Sequence, residues 1–192
     1  MDDAKLFTKD NAGPTLKVGK AAERLAEPGL SVEHAAGQLR GLASRKLVWA
    51  NGGTVGEGKV VHNLFTLWDL AVAKVLSILT VDAAVNDPSI LGAVSAQLYG
   101  WPEHYWDERD ARYPNSIRAA LAGVARGEPW VCRIDIRRHE ETGSKMVQTT
   151  LCNAEKGIPK FKGADGSLPR LSFTIALQPP FERLLTEPSK AH

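Results

Sequence analysis

The chain has 192 residues, 43% hydrophobic and 24% charged, which suffices for one or two small domains with adequate cores. Its net charge of +2 gives no whole-chain electrostatic footprint, and residues 1–65 hold nine Lys/Arg against seven Asp/Glu. It carries neither an apolar run long enough to span a bilayer nor a signal-peptide pattern, so a cytoplasmic protein with no membrane partner is expected. Residues 1–14 are polar, end in Asn-Ala-Gly-Pro and are expected to form a flexible tail. From Leu16 to Ala26, the apolar positions Val18, Ala21, Ala22 and Leu25 have helical spacing. Glu27-Pro28-Gly29 stops that helix, and Ser31 is a good N-cap for a second one over Val32 to Lys46. Leu47 to Ala50 reads as a short strand, Asn51 to Gly58 as a glycine-rich tip, and Lys59 to Phe65 as the returning strand. Helix, turn, helix and two-stranded wing is an order that fits a DNA major groove and its flanking backbone.

Ser31, then Leu39, Leu42 and the pair Leu47-Val48, resembles the recognition-helix pattern of winged helix-turn-helix transcription regulators. In that family the Leu-Val pair opens the wing. Phe65 to Leu76 is similar to the start of the third helix in MerR-like domains. MarR-type domains often carry a glycine before the Leu-Val pair, where this chain has Lys46. The resemblance implies a regulator that binds double-stranded DNA as a homodimer, with the dimer contact on the helix after Thr66. Its target would then be an inverted repeat with half-sites about one helical turn apart. Independently of the resemblance, Thr66 and Asp69 form a capping box with Asp in place of Glu or Gln.

That third helix is expected to run from Leu67 to about Ala84. Asp87-Pro88 opens another, which carries Ile90, Leu91, Val94 and Leu98 and ends near Gly100. The next residues place Trp101, Tyr105, Trp106 and Tyr113 close together. Trp101, Tyr105 and Trp106 are either a ligand or partner pocket or large side chains joining the helical middle to a sheet. A helix over Asn115 to Ala125 follows. After Pro129 the period becomes two: Trp130, Cys132, Ile134 and Ile136 share one face, with Arg133, Asp135 and Arg137 on the other. Pairing Ile136 with Val147 and Ile134 with Thr149 sets Cys132 opposite Leu151 and turns Cys152 to the other face, so two free thiols are expected. Leu171, Phe173, Ile175 and Leu177 alternate as a third strand, after a Gly/Pro/Lys loop over Lys156 to Pro169.

The expected fold class is therefore α+β, with an N-terminal winged helix-turn-helix, a helical connector and a C-terminal antiparallel β-sheet. The units are a tail at 1–14, a DNA-binding domain at 15–80, a helical connector at 81–127 and a β unit at 128–192 that takes a small-molecule effector or a protein partner. On the second helix, Ser31, Glu33, His34, Gly37, Gln38, Arg40 and Arg45 are the candidate DNA contacts, joined by Lys59 on the wing. Ser, His and Gln can donate to phosphates or base edges, and glutamine can pair bidentately with adenine. Gly37 and Gly41 weaken the helix, which close approach to DNA or to the first helix would explain. His104 and Glu108 have the i, i+4 spacing of metal ligands without a second cluster, so no metal and no cofactor are expected. No phosphate loop, paired-carboxylate motif or nucleophile elbow occurs, so an enzyme is not expected. The alternatives are a phage-like or mobile-element DNA-binding protein for replication or packaging, and a winged-helix module that binds protein.

Overall fold

The computed structural model describes residues 15–54, 61–100, 117–157 and 167–186. Over these the chain is α+β, with six α-helices and two three-stranded antiparallel sheets. Leu16–Lys17 is a short strand, β1, rather than the start of a helix. It pairs with the strand that follows the hairpin, Leu16 opposite Phe65. Helix α1 spans Val18–Leu25 and buries Ala21, Ala22 and Leu25. Helix α2 spans Val32–Ser44 and buries Ala35, Ala36, Leu39 and Leu42. The expected Ser31 cap is present, its hydroxyl accepting from the His34 N–H at 3.2 Å.

Leu47 to Ala50 does not form a strand. The end of α2 is closed instead by two hydrogen bonds, Leu47 N–H to Leu42 carbonyl and Lys46 N–H to Ala43 carbonyl, each 2.9 Å. This is a Schellman closure, and it puts Lys46 in the left-handed region at φ 57°. The hairpin therefore begins later, with β2 at Asn51–Thr54 and β3 at Val61–Phe65, and the sheet order is β1-β3-β2.

Helix α3, Leu67–Val81, carries the expected Thr66–Asp69 capping box and stops three residues before Ala84. It is the central helix of the core: Leu67, every residue from Asp69 to Leu76, and Leu79 are buried. Most of α3 is therefore spent on packing within the chain, and Val81 is its one exposed residue. Helix α4, Pro88–Tyr99, is capped by Asp87, and helix α5 spans Ile117–Ala125. Strands β4 (Trp130–His139), β5 (Lys145–Asn153) and β6 (Ser167–Ala176) form the second sheet, in the order β5-β4-β6. The register is the expected one, with Ile136 opposite Val147, Ile134 opposite Thr149 and Cys132 opposite Leu151. Both cysteines are free and buried, and burial pushes both thiols above their ordinary range.

Helix α6, Gln178–Leu185, has no counterpart in the sequence reading, since its two prolines and eight residues look like a tail. Proline suits a first helical turn, and Phe181 and Leu184 bury the inner side. Among the described residues a single apolar cluster runs from Ala21 through α3 and the second sheet to Leu184, with buried side chains from all six helices. No helix among the described residues is long and apolar enough to cross a membrane.

Candidate nucleic-acid interface

The turn between α1 and α2 is held from behind by α3 and α6. Lys74, only 2% exposed, reaches from α3 to the Leu25 carbonyl at 3.3 Å and to Glu27 Oε1 at 2.8 Å. Glu27 also receives Arg183 of α6 at 3.4 Å, and Arg24 donates to the Leu184 carbonyl at 2.8 Å. Such groups need partners, because a charge taken from water without one is costly. The result is a fixed angle between the two helices, with the far side of α2 left in solvent.

On that side Ser31, Glu33, His34, Gly37, Arg40 and Arg45 are all exposed, together with Val32 and Ser44. Hydrogen bonds from its own backbone N–H and from the Ser31 hydroxyl hold Glu33 below the usual carboxylate range. It is therefore an anion in the first turn, where the helix dipole favours one. Arg45 folds back, its Nε donating to the Gly41 carbonyl at 3.1 Å. Gln38 departs from the expected outward face: it is half-buried, and its Oε1 accepts from Ser77 of α3 at 3.0 Å. A Cβ on Gly37 or Gly41 would meet nothing within 4 Å, so close packing against α1 does not explain these glycines. Lys59, Trp101, Tyr105 and Trp106 lie outside the described residues, as do His104 and Glu108.

Two features next to this face were not singled out in the sequence. Trp49, 57% exposed, stacks on Tyr99 with ring centroids 4.0 Å apart and planes within 2°. Tyr99 accepts from the Trp49 N–H at 2.9 Å and donates to Asp69 Oδ1 at 2.8 Å. The α3 cap, the end of α4 and the approach to the hairpin are thereby tied together. Burial raises both the Asp69 and the Tyr99 pKa, and the hydrogen bond between them is kept with the phenol protonated. The sequence signal was the apolar 47–50 run itself, which places a tryptophan where the strand pattern fails.

The second feature is a cleft of about 570 Å³, lined by Lys17 of β1, Val18, Gly19, Lys20 and Glu23 of α1, Arg40 of α2 and Asn63 of β3. Arg40 is thus both on the exposed face of α2 and on the wall of this cleft. The sequence signal was weak: Lys17 and Lys20 look like ordinary solvated positions until β1 brings β3 alongside α1.

Chemically, the surface offers hydroxyl, imidazole and carboxylate groups at the first turn of a helix and guanidinium groups further along. These groups suit base edges and phosphates respectively. Compared with known proteins, the chain matches no family model, no curated protein and no solved structure.

Proposed function

We propose that this chain is a sequence-specific, DNA-binding transcription regulator that lays α2 into the major groove and the β2–β3 hairpin along the flanking backbone. The observation that carries this reading is the order of elements. A helix-turn-helix is followed by a hairpin whose second strand pairs with β1, and the outer side of α2 is exposed and uncommitted. This order supports reading the unit as a winged helix with α2 as its recognition helix. His34 and Glu33, in the first turn, are placed to meet base edges, Glu33 as an acceptor for a cytosine amino group. Arg40 is placed to meet the backbone, and Gln38 supports α2 through Ser77 instead of reading adenine. With a net charge of only +2, useful affinity calls for a homodimer. Its contact lies away from α3. The C-terminal sheet would take the effector or partner, and α6 connects that sheet to the helix-turn-helix through Arg183 and Glu27.

The test is fluorescence anisotropy against a pool of random duplexes at low and near-physiological salt, with sequencing of the bound fraction. An enriched, symmetric motif that survives added salt supports the regulator. His34→Ala should then change the preferred motif, whereas Arg40→Ala should lower affinity for every sequence alike. Binding without any preferred motif would favour an architectural DNA protein. A module that binds protein is the second reading, favoured by the rigid, exposed Trp49 beside an interface of modest charge, and it predicts no duplex binding at low salt.

A further inference from the structure

We infer that the cleft between α1, α2 and β3 is a phosphate site, and that it takes a backbone phosphate of the DNA that α2 reads. This inference rests on the DNA-binding reading and extends it to residues outside the recognition helix. Three cations, Lys17, Lys20 and Arg40, line the cleft from three different elements. Lys20 already spends its charge on Glu23, its Nζ 2.8 Å from Oε2. Lys17 and Arg40 are exposed and make no ion pair or hydrogen bond with their side chains among the described residues. Two unneutralised cations thus converge on one concave space, with the Asn63 amide on a third side.

Ligand chemistry follows from that lining. Most of the lining surface is carbon, although Val18 is the one sizeable apolar side chain among the residues that supply it, so the charges at its edge decide the ligand. A cation would meet two like charges, whereas a phosphate oxygen can receive charge-assisted hydrogen bonds from both arginine and lysine. Gly19 lines the same space, and an added Cβ there would meet nothing within 4 Å. Because Arg40 belongs to both surfaces, a phosphate held here fixes the register of α2 on the duplex without itself reading sequence.

The experiment compares wild type, Lys17→Ala, Gly19→Ala and Gly19→Glu in two assays: duplex binding across a salt series, and NMR titration with inorganic phosphate. Gly19→Glu places a carboxylate in the cleft. It also removes a helical glycine and puts an anion in the first turn of α1, both of which favour the helix. Its Tm should be unchanged or higher, so lost binding cannot be ascribed to unfolding. Lys17→Ala and Gly19→Glu should each weaken binding several-fold on every sequence, and Lys17→Ala should flatten the salt slope by roughly 0.9. Gly19→Ala should bind as wild type does. If the wild type binds duplex and both variants keep its affinity and slope, the phosphate site is overturned and the regulator reading stands. If the wild type binds no duplex but phosphate shifts the amides of residues 18–20, and does so less in Gly19→Glu, a free phosphate is the source and the DNA reading falls. If neither probe binds the wild type, both are overturned.

Discussion

In the β5-β4-β6 sheet the strands run nine or ten residues, whereas in the β1-β3-β2 sheet they run two, four and five. The long sheet lays Trp130, Cys132 and Ile134 into the core. Its register cannot slip by one residue without turning that apolar set outward. The short sheet holds Phe65 in the core and carries two glycines, Gly52 and Gly53, in β2. The contrast is one of burial: the long sheet covers its inner face with core side chains, whereas the short one meets α1 and α3 through β3. It teaches that the same antiparallel pairing anchors a sheet firmly where long strands alternate apolar and polar side chains, as in β4.

The comparison is broken most severely at Gly123. A Cβ there would lie 1.8 Å from Trp130 Nε1, so Gly123→Ala must displace the indole that begins β4 and its bond to Glu128 at 2.9 Å. A loss of about 2–3 kcal/mol in denaturant unfolding is expected, while Gly37→Ala, which meets nothing, should be neutral or stabilising.

On the other side, Glu27→Ala should cost about 2 kcal/mol, less than a wholly buried pair, because Lys74 keeps the Leu25 carbonyl and Glu27 is partly exposed. Lys74→Met removes the buried charge itself and should cost less than Glu27→Ala. The reverse order would show that the ion pair is not what fastens the turn.

A gain is expected at Lys46. Its φ of 57° is the conformation glycine adopts most readily, so Lys46→Gly should raise stability by roughly 0.5–1 kcal/mol, read as a higher Tm. The same change removes an exposed cation close to α2, so a stabler protein with weaker duplex affinity would place Lys46 in the interface.

The smallest effects concern titration and thiol access. Lys145 beside Asp87, 2.5 Å away, holds that carboxyl well below the usual range. A depressed carboxylate contributes stability above its unfolded pKa, near 4, and loses it as pH falls through the folded value. Lys145→Ala should therefore lower Tm slightly at neutral pH and leave it unchanged at low pH, which flattens the acid limb of Tm against pH. With both thiols buried and pushed up, a thiol reagent at neutral pH should label Cys132 and Cys152 only once the chain unfolds. Fast labelling of Cys152 alone would mean that the outer face of the long sheet opens.

Much of this architecture was legible in the residues because the signals were local. Ser31, Asp87 and the Thr66–Asp69 pair act within three residues of themselves, and the alternation after Pro129 determined both the register and the free thiols. The candidate interface was legible as a helix face, since Ala35, Leu39 and Leu42 mark its inner side. What the residues did not disclose depended on distant partners. Gln38 is drawn in by Ser77, thirty-nine positions away, and Arg40 becomes a wall of the cleft only because β1 pairs with β3. The sequence by itself determined where helices start, which faces are apolar and how the long strands pair, because capping and periodicity are properties of neighbouring residues. Only the tertiary structure decided that α3 is central, that α6 holds the end of α1 and that Lys17 and Arg40 share one space, because those facts arise from packing between segments far apart in the chain.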